Sequence, residues 1–456
     1  MSIQRSAFPA AFTWGAATAS FQIEGSTTVD GRGASIWDTF ARKPGAIADG
    51  RNGEPAADHY RRYKEDVALM ADLGINAYRF SIAWPRIQPL GAGRPNPAGI
   101  DFYRRLCEEL LSKGITPWAT LFHWDLPQAL EDRGGWLEAD TSRRLGEYAQ
   151  IVSENLDDLV RNWITVNEPL CAAFLGYASG IHAPGKQVGS HAARAAHHIL
   201  VGHGLATQAI RSVQSDANVG IALNLVPTLP ASQSSEDIDA ARRLDGLGNR
   251  FFLEPVLTGS YPRDVIADLG ETAWFEEHAE ETSQIATPLD FLGINYYTKS
   301  LVTKPSLGDD RPGGPAGLGS PGSESILGLD TGDPKTLMGW SIHPEGLVEV
   351  LQMANQYQPA LPLIITENGS AFQDHKVNGE IQDEDRRLYL EQHIMSCSAA
   401  IAQGLPLKGY FAWSLLDNYE WALGYSRRFG LIHVDFETQV RTLKRSGKWF
   451  SDFLKD

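Results

Sequence analysis

The amino-acid sequence predicts an α/β protein, a single (β/α)8 or TIM barrel with elaborated βα loops that spans residues 1–456 as one domain. Two observations carry this prediction. Eight strand-like segments alternate with amphipathic helix-like segments along the chain without a clear break, which is the pattern of eight successive βα units. Polar and aromatic residues collect at the end of nearly every strand-like segment, where such a barrel places its functional site.

The predicted strands are short apolar runs bounded by turn residues. They lie at residues 12–18, 77–82, 116–122, 162–166, 219–225, 291–295, 363–366 and 409–413. The run LPLII (361–365) is apolar throughout, as in a strand that is buried on both faces. Strands of this kind are typical of parallel sheets that are covered by helices.

Helices are predicted between the strands from apolar residues at helical spacing. HYRRYKEDVALMADLG (59–74) and GIDFYRRLCEELLSKG (99–114) are two clear cases, and a glycine follows the last apolar turn of each. Glycine is common at this position because it adopts the left-handed conformation that ends many helices. We therefore expect these two helices to end at Gly74 and Gly114.

One segment breaks the regular alternation of strands and helices. Residues 305–335 are rich in Gly and Pro and are too long for a plain connection between the sixth and seventh strands. Loops of this kind are either lids or mobile tips. We interpret the segment as part of the rim on the active-site side, with a mobile solvent-exposed loop as the alternative.

Composition and charge exclude several classes of protein. Hydrophobic residues make up 43% and charged residues 21% of the chain, which is the balance of a folded enzyme. The formal net charge of −16 argues against nucleic acid or an anionic membrane surface as a partner. Because we find neither a signal-peptide pattern nor an apolar run of membrane-spanning length, we expect a cytoplasmic protein. The oligomeric state cannot be inferred from the sequence.

The cysteines and histidines indicate no metal or cofactor chemistry. Cys107, Cys171 and Cys397 are far apart and odd in number, which suits a reducing compartment. We interpret them as buried small hydrophobic residues, with a catalytic thiol as the alternative. HAARAAHHILVGHG (191–204) is rich in histidine but lacks an H-E-x-x-H pattern or an obvious carboxylate ligand. We predict no metal and no cofactor.

Two strand ends carry a glutamate beside an asparagine, TVNEP with Glu168 and ITENG with Glu367. Paired carboxylates suggest cleavage of a glycosidic bond. With strands about 4.8 Å apart, the fourth and seventh strands face each other across roughly 14 Å, and two inward carboxyl groups would lie roughly 5 Å apart. That separation is typical of a retaining enzyme, although this estimate by itself leaves inversion open.

The sequence resembles the family 1 glycoside hydrolases, a family of retaining β-glucosidases and β-galactosidases. The resemblance runs from FTWGAATASFQIEG (12–25) to RRFGLIHVDFETQ (427–439). It implies that Glu168, in the T-x-N-E-P motif, is the acid/base and that Glu367, in the T-E-N-G motif, is the nucleophile. Ser370 departs from the residues that often follow the second motif in the family.

Three further residues are expected to support the two glutamates. Arg79 would lower the pKa of Glu367 as a neighbouring cation, and Tyr297 resembles the family's tyrosine that hydrogen-bonds the nucleophile. Asn167 would bind the 2-hydroxyl of the sugar. Burial beside an ionised Glu367 would raise the pKa of Glu168, which must begin the reaction protonated.

The resemblance also implies a sugar-binding site at the strand ends. A pyranose has an apolar face and a polar rim, so an aromatic floor with amide and carboxylate walls suits it. The expected substrate-binding residues are Gln22, His123, Trp124, Asn167, Asn295, Tyr297, Trp340, Trp413, Glu420, Trp421 and Phe429. Taken singly, a tryptophan here could belong to the core and His123 could be a satisfied buried histidine. Their joint pattern favours the sugar site.

We therefore predict a retaining β-glucosidase that acts on β-glucosides and cello-oligosaccharides, and also on β-galactosides or β-fucosides. The alternatives are a 6-phospho-β-glycosidase and a non-catalytic sugar-binding protein on the same scaffold. The charge of Glu420 argues against a 6-phosphate substrate, whereas Arg427 would favour one. Glu168 argues against a thioglycosidase, whose acid/base position carries Gln. Transfer of the sugar to an acceptor alcohol stays open, because it shares the first step with hydrolysis.

Overall fold

Eight parallel strands form a closed barrel. The structure is a computed structural model and describes residues 3–305, 313–315 and 320–456. The barrel strands are β1 Thr13–Ala17, β2 Ala77–Ser81, β3 Thr116–Phe122, β4 Asn162–Asn167, β5 Asn218–Asn224, β6 Phe291–Asn295, β7 Leu363–Asn368 and β8 Leu407–Trp413. Each strand pairs with its neighbours in chain order, and β8 pairs with β1 to close the ring. The predicted (β/α)8 barrel is confirmed.

The predicted strands agree with the observed strands to within two residues at each end. β3 and β6 have the predicted bounds. β7 continues two residues further than predicted, through Glu367 and Asn368, because these polar residues still pair with β6 and β8. Where a buried functional side chain follows an apolar run, the strand can therefore continue beyond the end of that run.

Helices cover the outside of the barrel. The longer helices are His59–Leu73, Pro97–Ser112, Asp140–Leu156, Ala192–Val213, Ser235–Asp245, Phe251–Thr258, Arg263–Leu269, Glu345–Tyr357, Glu384–Ala402 and Arg445–Lys455. The short helices are Ser20–Ile23, Ile36–Phe40, Trp84–Ile87, Gln128–Glu131, Thr272–Glu277 and Thr282–Ile285. No helix in the described part of the chain is both long enough and apolar enough to cross a membrane.

Helix ends and irregular turns follow the local sequence. Gly74 directly follows the helix His59–Leu73 with a φ of 84°, and Gly114, two residues after the helix Pro97–Ser112, has a φ of 72°. Both values lie in the left-handed region that glycine adopts without strain. The π-helical segments are Cys171–Ala178 and Gly246–Arg250, and the 3-10 turns are Arg5–Ala7, Gly135–Leu137, Gly189–His191, Ala279–Glu281 and Trp421–Leu423.

A small four-stranded sheet lies outside the barrel. Its strands, in spatial order, are Thr228–Pro230, Ser300–Thr303, Leu327–Leu329 and Gly313–Pro315. The segment 305–335 was predicted as an irregular loop, yet two stretches of it pair antiparallel in this sheet. Residues 306–312 and 316–319 lie outside the described residues, so a lid there stays a prediction. Two further hairpins are His375–Val377 with Glu380–Gln382 and Ile432–Val434 with Arg441–Leu443.

Aromatic side chains fill part of the barrel interior. The ring centroid of Trp118 lies 5.1 Å from that of Phe291 and 5.3 Å from that of Phe411. Because β3, β6 and β8 are not neighbours in the barrel, these rings meet across its interior. The barrel is therefore a packed core, and polar side chains can converge only beyond it, at the carboxyl ends of the strands.

Candidate active site

The two glutamates lie where the barrel ladder becomes irregular. Glu168 follows the last residue of β4 and Glu367 lies near the end of β7, and both are buried. The register of β4 against β5 shifts between Ile164 and Asn167, and that of β7 against β6 shifts between Ile365 and Glu367. Such irregularities redirect the side chains that follow them. Glu168 also has a φ of 44°, a conformation that costs a non-glycine residue about 1–3 kcal/mol.

Glu367 accepts hydrogen bonds on both carboxyl oxygens. Arg79 Nη1 donates to Oε1 and Tyr297 Oη donates to Oε2, each at 2.6 Å. Burial raises the pKa of Glu367, and the Arg79 charge and the Tyr297 hydroxyl oppose that rise. Since both donors favour the charged carboxylate, one of them as a cation, the geometry favours an ionised Glu367.

Glu168 has weaker partners. Asn295 Nδ2 donates to Oε1 at 2.7 Å, and the thiol of Cys171 donates to Oε2 at 3.2 Å. Burial and, after it, the negative charge of Glu367 raise the pKa of Glu168 to about 7, while the two donors act in the opposite direction. The rise and both of its causes are those expected from the sequence. Near neutral pH, Glu168 can therefore both release and accept a proton.

Asn167 connects the residues around the two carboxyl groups. Its Oδ1 accepts hydrogen bonds from Arg79 Nη2 at 2.6 Å and from Asn295 Nδ2 at 3.0 Å. Its Nδ2 lies 3.1 Å from Nε2 of His123, and its carbonyl accepts a hydrogen bond from Trp124 Nε1 at 2.9 Å. The side chain of Asn167 thus links Arg79 on β2 and Asn295 on β6 to His123, which directly follows β3.

Three polar atoms of the expected sugar site are buried and without a hydrogen-bond partner among the described residues. They are Gln22 Oε1, His123 Nδ1 and Glu420 Oε2. Gln22 is held in place through its Nε2, which donates to Asn418 Oδ1 at 3.2 Å and to the carbonyl of Tyr419 at 2.9 Å. Buried polar atoms in proteins are nearly always hydrogen-bonded. These three atoms are therefore available to bind a polar ligand or water.

Glu420 is a third carboxyl group near the two glutamates; the residue is partly buried, and its Oε2 atom is buried. Burial, followed by the charges of Glu367 and Glu168, raises the pKa of Glu420 to about 8, and Arg427 lowers it. The carboxyl group of Glu420 therefore keeps its proton to higher pH than an ordinary glutamate does. The charge repulsion against a 6-phosphate that the sequence suggested therefore depends on the ionisation of Glu420, and it should grow as the pH rises.

One group of aromatic rings lies beside His123. The rings of His123 and Trp413 are nearly parallel, at 17° with centroids 5.9 Å apart, and Trp413 is buried. The ring of Trp421 lies 6.0 Å from His123 and 4.6 Å from Trp124. Trp124 and Trp421 have φ angles of 74° and 47°. The backbone at both tryptophans is thus in the left-handed region, which residues other than glycine rarely adopt.

A second group of aromatic rings surrounds Tyr297. Trp340 lies 5.2 Å from Tyr297, and Phe429 lies 6.4 Å from Tyr297 and 6.2 Å from Trp340. Trp340 is partly exposed, whereas Phe429 is buried. Each aromatic member of the predicted site thus lies beside another aromatic member, whereas the hydrogen bonds of Gln22 go to Asn418 and Tyr419 outside the set.

Some residues beside the site were not predicted. The cysteines are all buried, as expected, but Cys171 is more than a small hydrophobic residue because its thiol contacts Glu168. Its position three residues after Glu168 was the available signal. The ring of His182 lies 5.5 Å from Trp124, and burial lowers its pKa to about 3. Thr366 donates to Asn295 Oδ1 at 2.6 Å. Thr366 begins the T-E-N-G motif, which was its available signal, whereas His182 has no distinctive sequence signal.

Known proteins match this chain over nearly its whole length. The family model of "Glycosyl hydrolase family 1" matches residues 4–456. "Beta-glucosidase A" of Thermotoga maritima is 44% identical, and a "Bifunctional beta-D-glucosidase/beta-D-fucosidase" of Bifidobacterium breve is 43% identical, each over 98% of both chains. The crystal structure of a psychrophilic beta-glucosidase from Micrococcus antarcticus has a TM-score of 0.94 and 47% identity, covering 98% of this chain and 97% of its own. The chain, with its barrel and its two buried glutamates, belongs to glycosyl hydrolase family 1.

Proposed function

We propose that the protein is a retaining β-glucosidase, which hydrolyses terminal non-reducing β-D-glucosyl residues of β-glucosides and cello-oligosaccharides by double displacement. The observation that carries the proposal is the difference between two buried carboxyl groups. Glu367 is bonded to a cation and a hydroxyl, whereas Glu168 is bonded to an amide and a thiol. The relatives named beta-glucosidases support a glucoside substrate, and the bifunctional relative supports β-fucosides as well.

In the first step, Glu367 attacks the anomeric carbon and Glu168 protonates the departing glycosidic oxygen. The bond from the carboxylate to the anomeric carbon forms as the bond from that carbon to the leaving oxygen breaks. Arg79 and Tyr297 hold Glu367 ionised and fix both of its oxygens. Asn167, which Arg79 orients, is placed to bind the 2-hydroxyl of the sugar, a contact that strengthens in the transition state.

In the second step, water replaces the enzyme at the anomeric carbon. Once Glu367 is esterified, its negative charge is gone, and one of the two causes that raise the pKa of Glu168 disappears. Glu168 then takes a proton from the attacking water, and Glu367 leaves as a carboxylate. Two inversions at one carbon give overall retention of configuration.

The remaining residues of the site would bind the sugar. We propose that Gln22, His123 and Glu420 bind sugar hydroxyls through the three atoms that lack partners. A protonated Glu420 can donate one hydrogen bond and accept others. Trp413 would support the apolar face of the sugar, and the remaining members, Trp124, Asn295, Trp340, Trp421 and Phe429, would form the walls around it.

We propose further that the chain works as one domain in the cytoplasm, without metal or cofactor, on a small-molecule carbohydrate and without a nucleic acid or membrane partner. The pairing of β1 with β8, near opposite ends of the chain, supports one cooperative unit. The three cysteines are buried and unpaired, which supports a reducing compartment. Action on cello-oligosaccharides would give the protein a part in cellulose degradation.

A panel of nitrophenyl glycosides tests the function. We expect turnover of the β-D-glucoside, with β-D-glucose as the first product seen by proton NMR and no turnover of the α-glucoside. Release of α-glucose first would make the enzyme inverting. Binding of glucose without turnover of any β-glycoside would instead identify a sugar-binding protein. The presence of both glutamates argues against this alternative.

Azide rescue of two variants assigns the roles. Glu367→Ala should abolish hydrolysis, and azide should restore cleavage with inverted configuration, because azide then occupies the place of the nucleophile. Glu168→Ala should keep activity on a substrate with a good leaving group, and azide should give a product of retained configuration. The opposite stereochemistry in the two variants would exchange the assignments.

A further inference from the structure

Cys171 contacts Glu168 through both its backbone and its side chain. Its N–H donates to the carbonyl of Glu168 at 3.0 Å, and its thiol donates to Oε2 of the same residue at 3.2 Å. Cys171 is buried and begins the π-helical segment Cys171–Ala178. The steps proposed above assign this thiol no part.

The two oxygens of Glu168 have different neighbours. Oε1 accepts a hydrogen bond from Asn295 Nδ2 at 2.7 Å, and Asn295 is itself fixed by Thr366. An oxygen that accepts from an amide is a poor place for a proton, so the acid form of Glu168 carries its proton on Oε2. The thiol therefore contacts the oxygen at which the proton is held and released.

Charged and titratable groups from several strands act on Glu168. Those facing it are Glu367 on β7, Arg79 on β2, Tyr297 after β6, Glu420 after β8 and Cys171. The guanidinium of Arg79 bonds to Glu367 and Asn167 but to neither oxygen of Glu168 among the described contacts. The direct donors to the carboxyl group are thus Asn295 and Cys171.

An S–H donor interacts more strongly with a carboxylate than with a neutral acid. We propose that Cys171 is a positioning residue, whose thiol donates to Glu168 Oε2 and favours the ionised form that acts as the base in the second step. This inference rests on the proposed function, since it takes Glu168 as the acid/base. Without the thiol, Glu168 would keep its proton to higher pH.

The test compares three variants. Cys171→Val keeps the volume and removes the donor, Cys171→Ser keeps a donor, and Cys397→Val changes a buried cysteine in the helix Glu384–Ala402, outside the site. The readout is the basic limb of the pH profile of kcat/KM for a β-glucoside whose leaving group needs protonation. We expect Cys171→Val to move the limb upward by about 0.5–1 pH unit, and the other two variants not to move it upward.

The Glu168→Gln variant tests whether the effect of the thiol acts through Glu168. In Glu168→Gln, assayed with a good leaving group, Cys171→Val should shift nothing, because the ionisation on which the thiol acts is absent. Carbon-13 NMR titration of the Glu168 carboxyl should give the same upward shift in Cys171→Val, whether or not the protein turns over glucosides. Three results would overturn the proposal. They are a lower rate of Cys171→Val without a shift of the basic limb, the same position of the limb in Cys171→Ser and Cys171→Val, and an unchanged NMR titration of Glu168 in Cys171→Val. Absence of all glycosidase activity, with the NMR shift present, would overturn only the proposed function.

Discussion

At the scale of single residues, three neighbouring carboxyl groups, two of them buried and one partly buried, differ in their hydrogen-bond partners. Glu367 has Arg79 and Tyr297, Glu168 has Asn295 and Cys171, and Glu420 has an oxygen without a partner among the described residues. Carboxyl groups of the same chemical type are thereby given different affinities for a proton. Such a spread of pKa values is what an acid, a nucleophile and a ligand for hydroxyl groups need at one pH.

The ionisation of Glu420 should control discrimination against a phosphorylated sugar. Because burial and the two other glutamates raise its pKa to about 8, repulsion of a 6-phosphate should grow as the pH passes through that value. We expect the ratio of kcat/KM for nitrophenyl β-glucoside over its 6-phosphate to rise about tenfold from about pH 6.5 to 9, reaching at least about two decades. A sugar phosphate is close to dianionic across this range.

Glu420→Gln is the matched control, since it cannot ionise and should give a ratio that does not change with pH. A wild-type ratio that is flat with pH would remove the charge of Glu420 from the explanation. Comparable rates on the two substrates would support the 6-phospho-β-glycosidase alternative, with Arg427 as the contact for the phosphate.

At the scale of elements, β4 and β7 are distinguished by their register shifts. β4 pairs regularly with β5 up to Ile164, and β7 pairs regularly with β6 up to Ile365; these two ladders shift just before Asn167 and Glu367. The end of β7 also approaches β8 closely. A Cβ added to Gly369 would lie 1.7 Å from the carbonyl oxygen of Trp413, the last residue of β8. Only glycine allows this approach without movement of the backbone.

Gly369→Ala should therefore move the end of β7 away from β8 and displace Glu367. We expect kcat/KM to fall by about 10²-fold, the effect of a misplacement on the order of 1 Å, in a protein that still folds. Gly248→Ala is the control, because an added Cβ there meets no atom within 4 Å. Circular dichroism establishes folding and initial rates measure the loss. Full activity of Gly369→Ala would mean that the strand ends adjust more easily than their contact distance indicates.

At the scale of the whole molecule, a buried network of charges connects the loops after β7 and β8 to the last part of the chain. Its members are Asp374, Asp383, Arg386, Asp417, Arg428 and Lys444. Lys444 Nζ lies 2.8 Å from Asp374 and 2.7 Å from Asp417. Asp374, Asp417 and His433 are close enough to hold a metal ion. However, Lys444 already places a positive charge between the two aspartates. The network supports the loop that carries Glu420.

Removal of Lys444 should destabilise the fold. Burial acts against ionisation, but Lys444 and the two arginines keep the pKa of Asp417 below its ordinary value. A lowered pKa adds stability above the unfolded-state value, about 3.9, and that stability is lost as the pH falls through the folded-state pKa. Lys444→Met leaves buried carboxylates without this cation, so we expect the free energy of unfolding at neutral pH to fall by about 3–5 kcal/mol.

Lys448→Met is the control, since its ion pair with Glu380 is exposed and should contribute less than about 1 kcal/mol. Urea unfolding measures both variants. The deficit of Lys444→Met should shrink as the pH is lowered toward about 4, because a protonated Asp417 no longer needs a cation. Equal stability of the two variants at neutral pH would show that the network rearranges around the loss.

The sequence by itself determined the positions of the barrel strands and the residues that gather at their ends. This was possible because apolar runs and helical periodicity are local properties, and because strands in chain order become neighbours in the barrel. The tertiary structure alone decided the features that depend on contacts between distant parts of the chain. It placed parts of residues 305–335 in a sheet, extended β7 through Glu367, and brought Asn295 to Glu168. It also raised the pKa of Glu420, through burial of its carboxyl group and through the charges of Glu367 and Glu168, which come from other strands that meet only when the barrel closes.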